Sequence, residues 1–151
     1  MEHLFVVDGS AAERAKVTSL PAAKLTERYH LQEWIIAHPD ILGEDVFVVK
    51  SEYDRWESEL DGTPENDRLD ILGIDGSGRL VVVELKRDAS GRDVHLQAIT
   101  YAALVSRFNL NTLAEAHRVF HKRRGNEIDI AVCRERILEH VGGDLDQEIL
   151  R

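Results

Sequence analysis

Two apolar segments separated by a short turn constrain the fold of this chain more than any other feature. Residues 68–74 read RLDILGI, residues 80–86 read LVVVELK, and DGSGR lies between them. Apolar segments bounded by Gly and Asp predict two β-strands joined as a hairpin. With residues 75–79 as the loop, Ile74 lies opposite Leu80 and Leu72 opposite Val82.

This register gives the hairpin two different faces. One face is apolar throughout and is predicted to be core: Leu69, Ile71, Gly73, Val81, Val83 and Leu85. The other face begins apolar and ends in four charged residues: Leu72, Ile74, Leu80 and Val82, then Arg68, Asp70, Glu84 and Lys86. The apolar part of this second face predicts that another element covers it.

The charged end of the hairpin places Asp70 directly opposite Glu84. Like charges at that spacing are destabilising, and a divalent cation such as Mg²⁺, which one or two carboxylates often hold, would compensate. Lys86 lies on the same face, about 6–7 Å further along the strand, where an ammonium group can stabilise developing charge. The alternative is a solvated strand end in which Arg68 and Lys86 pair with the two acids.

The rest of the chain predicts helices around this hairpin. A helix begins at the N-cap Thr26 and ends before Pro39. Other predicted helices cover residues 93–108, about 112–123, and the tail from residue 134. Strands are predicted at residues 3–7, 45–50 and 127–133, and loops at residues 9–24 and 51–66. This order predicts a single domain over residues 1–151, an α/β sandwich around a mixed sheet.

Composition excludes several classes of protein. The chain has 151 residues, 43% of them hydrophobic, and a single cysteine, Cys133, which rules out an internal disulfide. The N-terminus lacks the pattern of a secretory signal, and no segment has the roughly 20 apolar residues of a membrane span, so a cytoplasmic protein is expected. The net charge of −9 argues against nucleic-acid binding by bulk electrostatics, but an acidic chain can still be a nucleic-acid enzyme.

Three segments carry a resemblance to a known family: LTERYHLQEWIIAHPDIL, DRLDILGIDGSGRLVVVELKRD and DVHLQAITYAAL. Asp70, Glu84-Leu85-Lys86, and a helix carrying Gln97 and Tyr101 resemble the PD-(D/E)xK nuclease superfamily, most closely its NucS-type and RecB-like endonuclease domains. The resemblance implies a restriction-endonuclease-like fold with a central mixed sheet flanked by helices. It also implies a Mg²⁺- or Mn²⁺-dependent DNA endonuclease of a repair or defence type.

The resemblance also implies roles for individual residues. Asp70 and Glu84 would be metal ligands, joined by the backbone carbonyl of Leu85, and Lys86 would be the catalytic lysine. Gln97 and Tyr101 would line the site. The residue before Asp70 is Leu69 rather than the proline of the nominal motif, a departure that the superfamily tolerates.

A third metal-binding carboxylate is expected on the first helix. Glu27 and Glu33 both compete for this role. By helical angle Glu27 lies on the inward stripe of Leu31, Trp34 and His38, whereas Glu33 points away from it, so Glu27 is favoured. The alternative is that Glu27 only complements the helix dipole.

Basic residues near the predicted site would contact the DNA backbone: Arg87, Arg92, Lys122, Arg123 and Arg124. The run HKRRG is also typical of a solvated helix end. His117 and His121 have the spacing of metal ligands, but no third ligand follows at a recognisable interval. Two rival hypotheses stay open: a nonenzymatic nucleic-acid-binding or assembly module with the nuclease fold, and a nuclease that requires a second copy or a partner subunit.

Overall fold

The computed structural model describes residues 4–42, 45–53, 68–86 and 94–142. Its elements combine helices with two small sheets, so the chain has a mixed α and β fold. The predictions for Arg87 and Arg92, for most of the polar stretch 51–66, and for the end of the tail lie outside the described residues.

A two-stranded hairpin begins the described chain. Strand β1 (Phe5–Asp8) pairs antiparallel with β2 (Ala11–Arg14), with Asp8 opposite Ala11. Gly9 and Ser10 form the turn, and Gly9 has φ +56°, a left-handed conformation that glycine adopts without steric cost. The predicted first strand is thus confirmed, but β2 replaces part of the predicted loop. The dipeptide Gly-Ser, which is typical of a two-residue hairpin turn, is the signal that could have identified it.

The main sheet has the strand order β3-β4-β5, and every pairing in it is antiparallel. Strand β3 spans Val46–Tyr53, β4 spans Leu69–Asp75 and β5 spans Leu80–Val83. The β4–β5 register is the predicted one, with Ile74 opposite Leu80 and Leu72 opposite Val82. The prediction of a mixed sheet is wrong for the described residues.

The missing fourth strand explains this difference. The sequence pattern predicts a strand at residues 127–133, but helix α4 spans Ile130–His140. Asp129 is its N-cap and its side chain accepts a hydrogen bond from the amide of Ala131. Cys133 and Ile137, four residues apart, are the buried residues of this helix, so the short alternation of apolar residues is the start of a helical pattern.

The other helices agree more closely with the predictions. A π-helical turn (Glu27–Leu31) leads into α1 (Gln32–Ala37), and the Thr26 side chain accepts a hydrogen bond from the Tyr29 amide as the N-cap. A 3₁₀ turn begins at Pro39. Helix α2 spans Val94–Val105 and α3 spans Leu110–Arg123.

Both faces of the main sheet are covered. Ile71 and Leu72 are fully buried, and successive side chains of a strand point to opposite faces. Leu72 belongs to an apolar cluster with residues of α2, α3 and α4, such as Tyr101, Leu113 and Ile137. Ile71 belongs to a second cluster with Ile35, Val48 and Phe120. The prediction that another element covers the Leu72 face is therefore confirmed.

Candidate active site

The candidate site lies where β5 ends. The sequence predicts that the strand continues to Lys86, but it stops at Val83. The Asp70 carboxylate accepts a hydrogen bond of 2.7 Å from the amide of Leu85. A side chain that takes a backbone donor competes with the strand ladder, which accounts for the early end of β5 and fixes residues 84–86 beside Asp70.

Glu84 and Lys86 form a close ion pair at this point. The Lys86 ammonium donates a hydrogen bond of 2.6 Å to Glu84 Oε1. The Glu84 side chain is only 7% exposed and that of Lys86 is 37% exposed. The bond and the charge of Glu84 raise the pKa of Lys86, so Lys86 is an ammonium ion at neutral pH.

The second carboxylate oxygen of Glu84 is unusual. Glu84 Oε2 is buried and has no hydrogen-bond partner among the described residues. A buried acceptor without a partner costs free energy, and a hard cation would satisfy it. The residues present therefore fit a divalent cation at this position.

Asp70 also lies in an electrostatically unfavourable environment. Its pKa is raised to about 6, chiefly by burial and also by the charges of Glu84 and Glu27, against the lowering effects of the Leu85 amide and Lys86. We call Glu27, Asp70 and Glu84 the acidic cluster, because the charges of Glu27 and Glu84 both act on Asp70. Within it, an added positive charge would favour the ionised form of Asp70.

The two competing helix acids have different surroundings. Glu27 lies in the π-helical turn, and its charge acts on both Asp70 and Lys86. Glu33 accepts two hydrogen bonds from Arg124, of 2.6 and 3.1 Å. Glu27 rather than Glu33 is thus the helix acid that acts on the site.

Gln97 and Tyr101 lie four residues apart on α2, and therefore on one face of that helix. Helix α2 packs against β5. Tyr101 is fully buried in the core cluster, whereas Gln97 is half-buried. A core position accounts for Tyr101 by packing, and its proposed part in the chemistry stays a prediction, as does that of Gln97.

The basic residues at the end of α3 have two different kinds of surroundings. Lys122 and Arg123 are exposed in the last turn, where positive charge also complements the helix dipole. Arg124 is held by Glu33 and lies over the ring of Phe120. A role in binding a phosphate backbone stays a prediction for all three residues.

His117 and His121 do not form part of a metal centre in the described residues. No group of three or more His, Cys, Asp or Glu that could hold a metal occurs in the part of the chain that the structure describes. The Nδ1 atom of His117 lies 2.8 Å from the carbonyl oxygen of Val49, and its Nε2 atom lies 3.2 Å from Nε2 of His121. Because a carbonyl only accepts, Nδ1 of His117 donates and its Nε2 accepts. Because the described residues contain no such group of three, a cation in the acidic cluster would have fewer than three of these side chains as ligands, with waters completing its shell.

The sequence patterns do not identify Glu52 and Arg28 as charged residues near the site. Glu52 on β3 forms an ion pair with Arg28, and Arg68 lies 3.7 Å from the same carboxylate. Glu52 follows a β-bulge between Val48 and Lys50 and is separated from β4 by a long segment. Glu52 lies beside Asp70 because of the β3–β4 register. No local sequence pattern predicts that register.

Comparison with known proteins gives one partial similarity. The chain is 40% identical over 78 residues to an endonuclease NucS from Corynebacterium kroppenstedtii. The matching segment makes up 52% of this chain and 27% of that protein. The chain thus matches about a quarter of the length of this curated relative. No family model and no solved structure matches the chain. Among the described residues no helix is long and apolar enough to cross a membrane. The chain is therefore similar, over half its length, to part of an endonuclease.

Proposed function

We propose that this chain is a metal-dependent nuclease of the restriction-endonuclease-like fold that hydrolyses phosphodiester bonds in DNA. The observation that carries the proposal is the buried, unpartnered oxygen of Glu84 next to Asp70 and the Lys86 ammonium. The partial similarity to an endonuclease NucS supports the same chemistry.

Asp70 and Glu84 would hold Mg²⁺ or Mn²⁺, with the Leu85 carbonyl and waters as further candidate ligands and Glu27 as a nearby negative charge. When bound, such a cation supplies Lewis-acid chemistry, since it lowers the pKa of a water and polarises a phosphodiester. The Leu85 amide fixes the Asp70 carboxylate, and the charges of Glu27 and Glu84 both act on it, which makes a bound cation favourable there.

Lys86 would act as a fixed positive charge rather than as a base. Its raised pKa keeps the proton on the amine, and Glu84 holds the ammonium beside the acidic cluster. There it would stabilise the charge that develops on the phosphate as water attacks phosphorus and the ester bond breaks.

Cleavage assays with matched variants test this proposal. Purified protein with Mn²⁺ is expected to cut single-stranded, branched or duplex DNA. Lys86→Ala should lower the rate about 100- to 1,000-fold and keep Mn²⁺ binding by calorimetry, whereas Asp70→Ala should lose both. Glu115→Gln, which changes a carboxylate that is paired with Arg118 on α3, is the control. Mn²⁺ binding without cleavage of any of these substrates would instead favour a nonenzymatic module.

A further inference from the structure

Glu52 has a strained backbone at a position next to the candidate site. In the β3–β4 ladder Ser51 lies opposite Ile71 and Tyr53 opposite Leu69, which leaves Glu52 across from Asp70. Its φ of +52° is uncommon for a residue with a side chain. Strained residues cluster at functional sites, so the contacts of the Glu52 side chain are informative.

The Glu52 carboxylate binds the guanidinium of Arg28. Arg28 Nη2 donates a hydrogen bond of 2.9 Å to Glu52 Oε2, and Arg28 Nε contacts Oε1. Arg68 approaches the same carboxylate at 3.7 Å. Because two arginines surround it, this carboxylate is not available to a cation in the acidic cluster.

Arg28 is close to the acidic cluster. It follows Glu27 directly in the π-helical turn, and the charge of Asp70 contributes to raising its pKa, after the larger effects of Glu52. The Arg28 side chain is 53% exposed. Two of the five N–H donors of a guanidinium contact Glu52, which leaves three for a ligand.

Stability alone does not account for this arrangement. An exposed ion pair stabilises a fold only slightly, by less than a left-handed conformation typically costs a residue with a side chain. A guanidinium whose position is fixed by a carboxylate is instead well suited to bind a phosphate, since its planar donors match phosphate oxygens.

We propose that Arg28 binds a backbone phosphate of the nucleic acid beside the acidic cluster, and that Glu52 is the positioning residue that aims it. This inference rests on the proposed nuclease function and adds to it a residue that binds the substrate. It also accounts for how a chain of net charge −9 can hold an anionic substrate next to three carboxylates.

The first test is DNA binding by Arg28→Ala. Binding is measured with fluorescein-labelled DNA of the kind that the wild type cuts, in the Lys86→Ala background with Mn²⁺, over a series of NaCl concentrations. We expect Kd to rise about tenfold and the slope of log Kd against log salt to fall by about one, while the Mn²⁺ affinity stays the same.

The matched control is Arg79→Ala. Arg79 is also an arginine paired with a carboxylate, that of Asp75, but Asp75 lies five residues from Asp70 on β4, about 16 Å along the strand. This variant should leave Kd and the salt slope unchanged. If Arg28→Ala behaved like Arg79→Ala, the phosphate role of Arg28 would be refuted. If the wild type with Mn²⁺ cut no DNA, the proposed function itself would fail.

The second test concerns Glu52 and uses Glu52→Gln. The variant keeps the charge of Arg28 but loses the ion pair that orients it. We expect kcat to fall about tenfold with little change in KM, and the salt slope to stay the same. A tighter Kd with an unchanged kcat would mean that Glu52 only neutralises charge, and would overturn its positioning role. A lower melting temperature with unchanged kinetics would also overturn it.

Discussion

At the scale of single residues, the candidate site concentrates charge that the fold itself does not neutralise. Glu84 has a buried oxygen without a partner in the described part of the chain, and the pKa of Asp70 is raised to about 6. Both features lower the stability of the folded chain and both would be relieved by a cation. A site that is unfavourable until its ligand binds is expected where function, rather than stability, determines the residues.

Asp70→Asn is expected to stabilise the metal-free protein. A carboxyl whose folded pKa is raised from about 4 to about 6 binds more protons when folded than when unfolded between these values. Stability is therefore lost as the pH rises through that range. The introduced amide keeps an acceptor for the Leu85 amide and carries no charge, so the melting temperature at pH 7.5 without metal should rise by a few degrees.

The pH dependence of this effect separates it from a general gain in stability. At pH 5 most of the wild-type Asp70 is protonated, so the difference in melting temperature between the variant and the wild type should shrink there. Addition of Mn²⁺ at pH 7.5 should raise the melting temperature of the wild type and not of the variant. A difference that is equal at both pH values would contradict the raised pKa of Asp70.

At the scale of elements, the features that the sequence predicts correctly are those that a few neighbouring residues determine. The β4–β5 register follows from a turn of fixed length between Ile74 and Leu80, and Thr26 and Pro39 mark the two ends of the first helical segment. The prediction of a strand at residues 127–133 is wrong because alternation over a few residues does not distinguish a strand from the start of a helix such as α4. Glu52 was missed because a β-bulge and a long connection separate it from Asp70.

Gly73 is required by the close approach of β3 to β4. A Cβ atom at this position would lie 2.7 Å from Val46 Cγ1 and 3.1 Å from the carbonyl oxygen of Phe47. Gly73→Ala should lower the free energy of unfolding by about 1–3 kcal/mol, measured by urea denaturation. Gly76→Ala is the control in the same hairpin, because a Cβ there would meet mainly the side chain of Asp45 at 3.2 Å, which is exposed and can move. Equal losses for the two variants would contradict the packing argument.

His117 links α3 to the β-bulge and makes that contact sensitive to acid. Its pKa is lowered to about 4, chiefly by burial and also by the charges of His121 and Arg136, against the raising effect of the hydrogen bond to Val49. A histidine with a depressed folded pKa contributes stability above about pH 6.5 that is lost as the pH falls towards 4. His117→Phe should therefore lose less stability than the wild type between pH 6.5 and 4.5 in urea denaturation.

The exposed His38 provides the comparison for this measurement. His38→Ala should keep the pH dependence of the wild type, since its side chain lies at the surface. If His117→Phe also kept it, the acid sensitivity would belong to other groups. In the wild type, the ionisation of Asp70 lowers the stability as the pH rises, whereas the protonation of His117 lowers it as the pH falls. Each effect must therefore be measured as the difference between the wild type and the variant at that residue.

At the scale of the whole molecule, charge opposes the proposed substrate. The chain carries a net charge of −9, and the acidic cluster lies where a phosphate would have to approach. Without a cation these carboxylates would repel DNA, and Arg28, Lys86 and the end of α3 would supply only local attraction. Binding of the nucleic acid should therefore depend on a divalent cation as well as on salt.

This dependence leads to a prediction about the protein without metal. In EDTA the wild type should bind DNA weakly, and Asp70→Asn should bind it more tightly, because the substitution removes one negative charge from the acidic cluster without adding a contact. With Mn²⁺ the order should reverse, since only the wild type would retain the cation that attracts the phosphate. Glu115→Gln removes the same charge from α3, so it separates a local effect from one of net charge. If Glu115→Gln tightened binding in EDTA as much as Asp70→Asn did, the repulsion would belong to the molecule as a whole and the acidic cluster would not be where DNA binds.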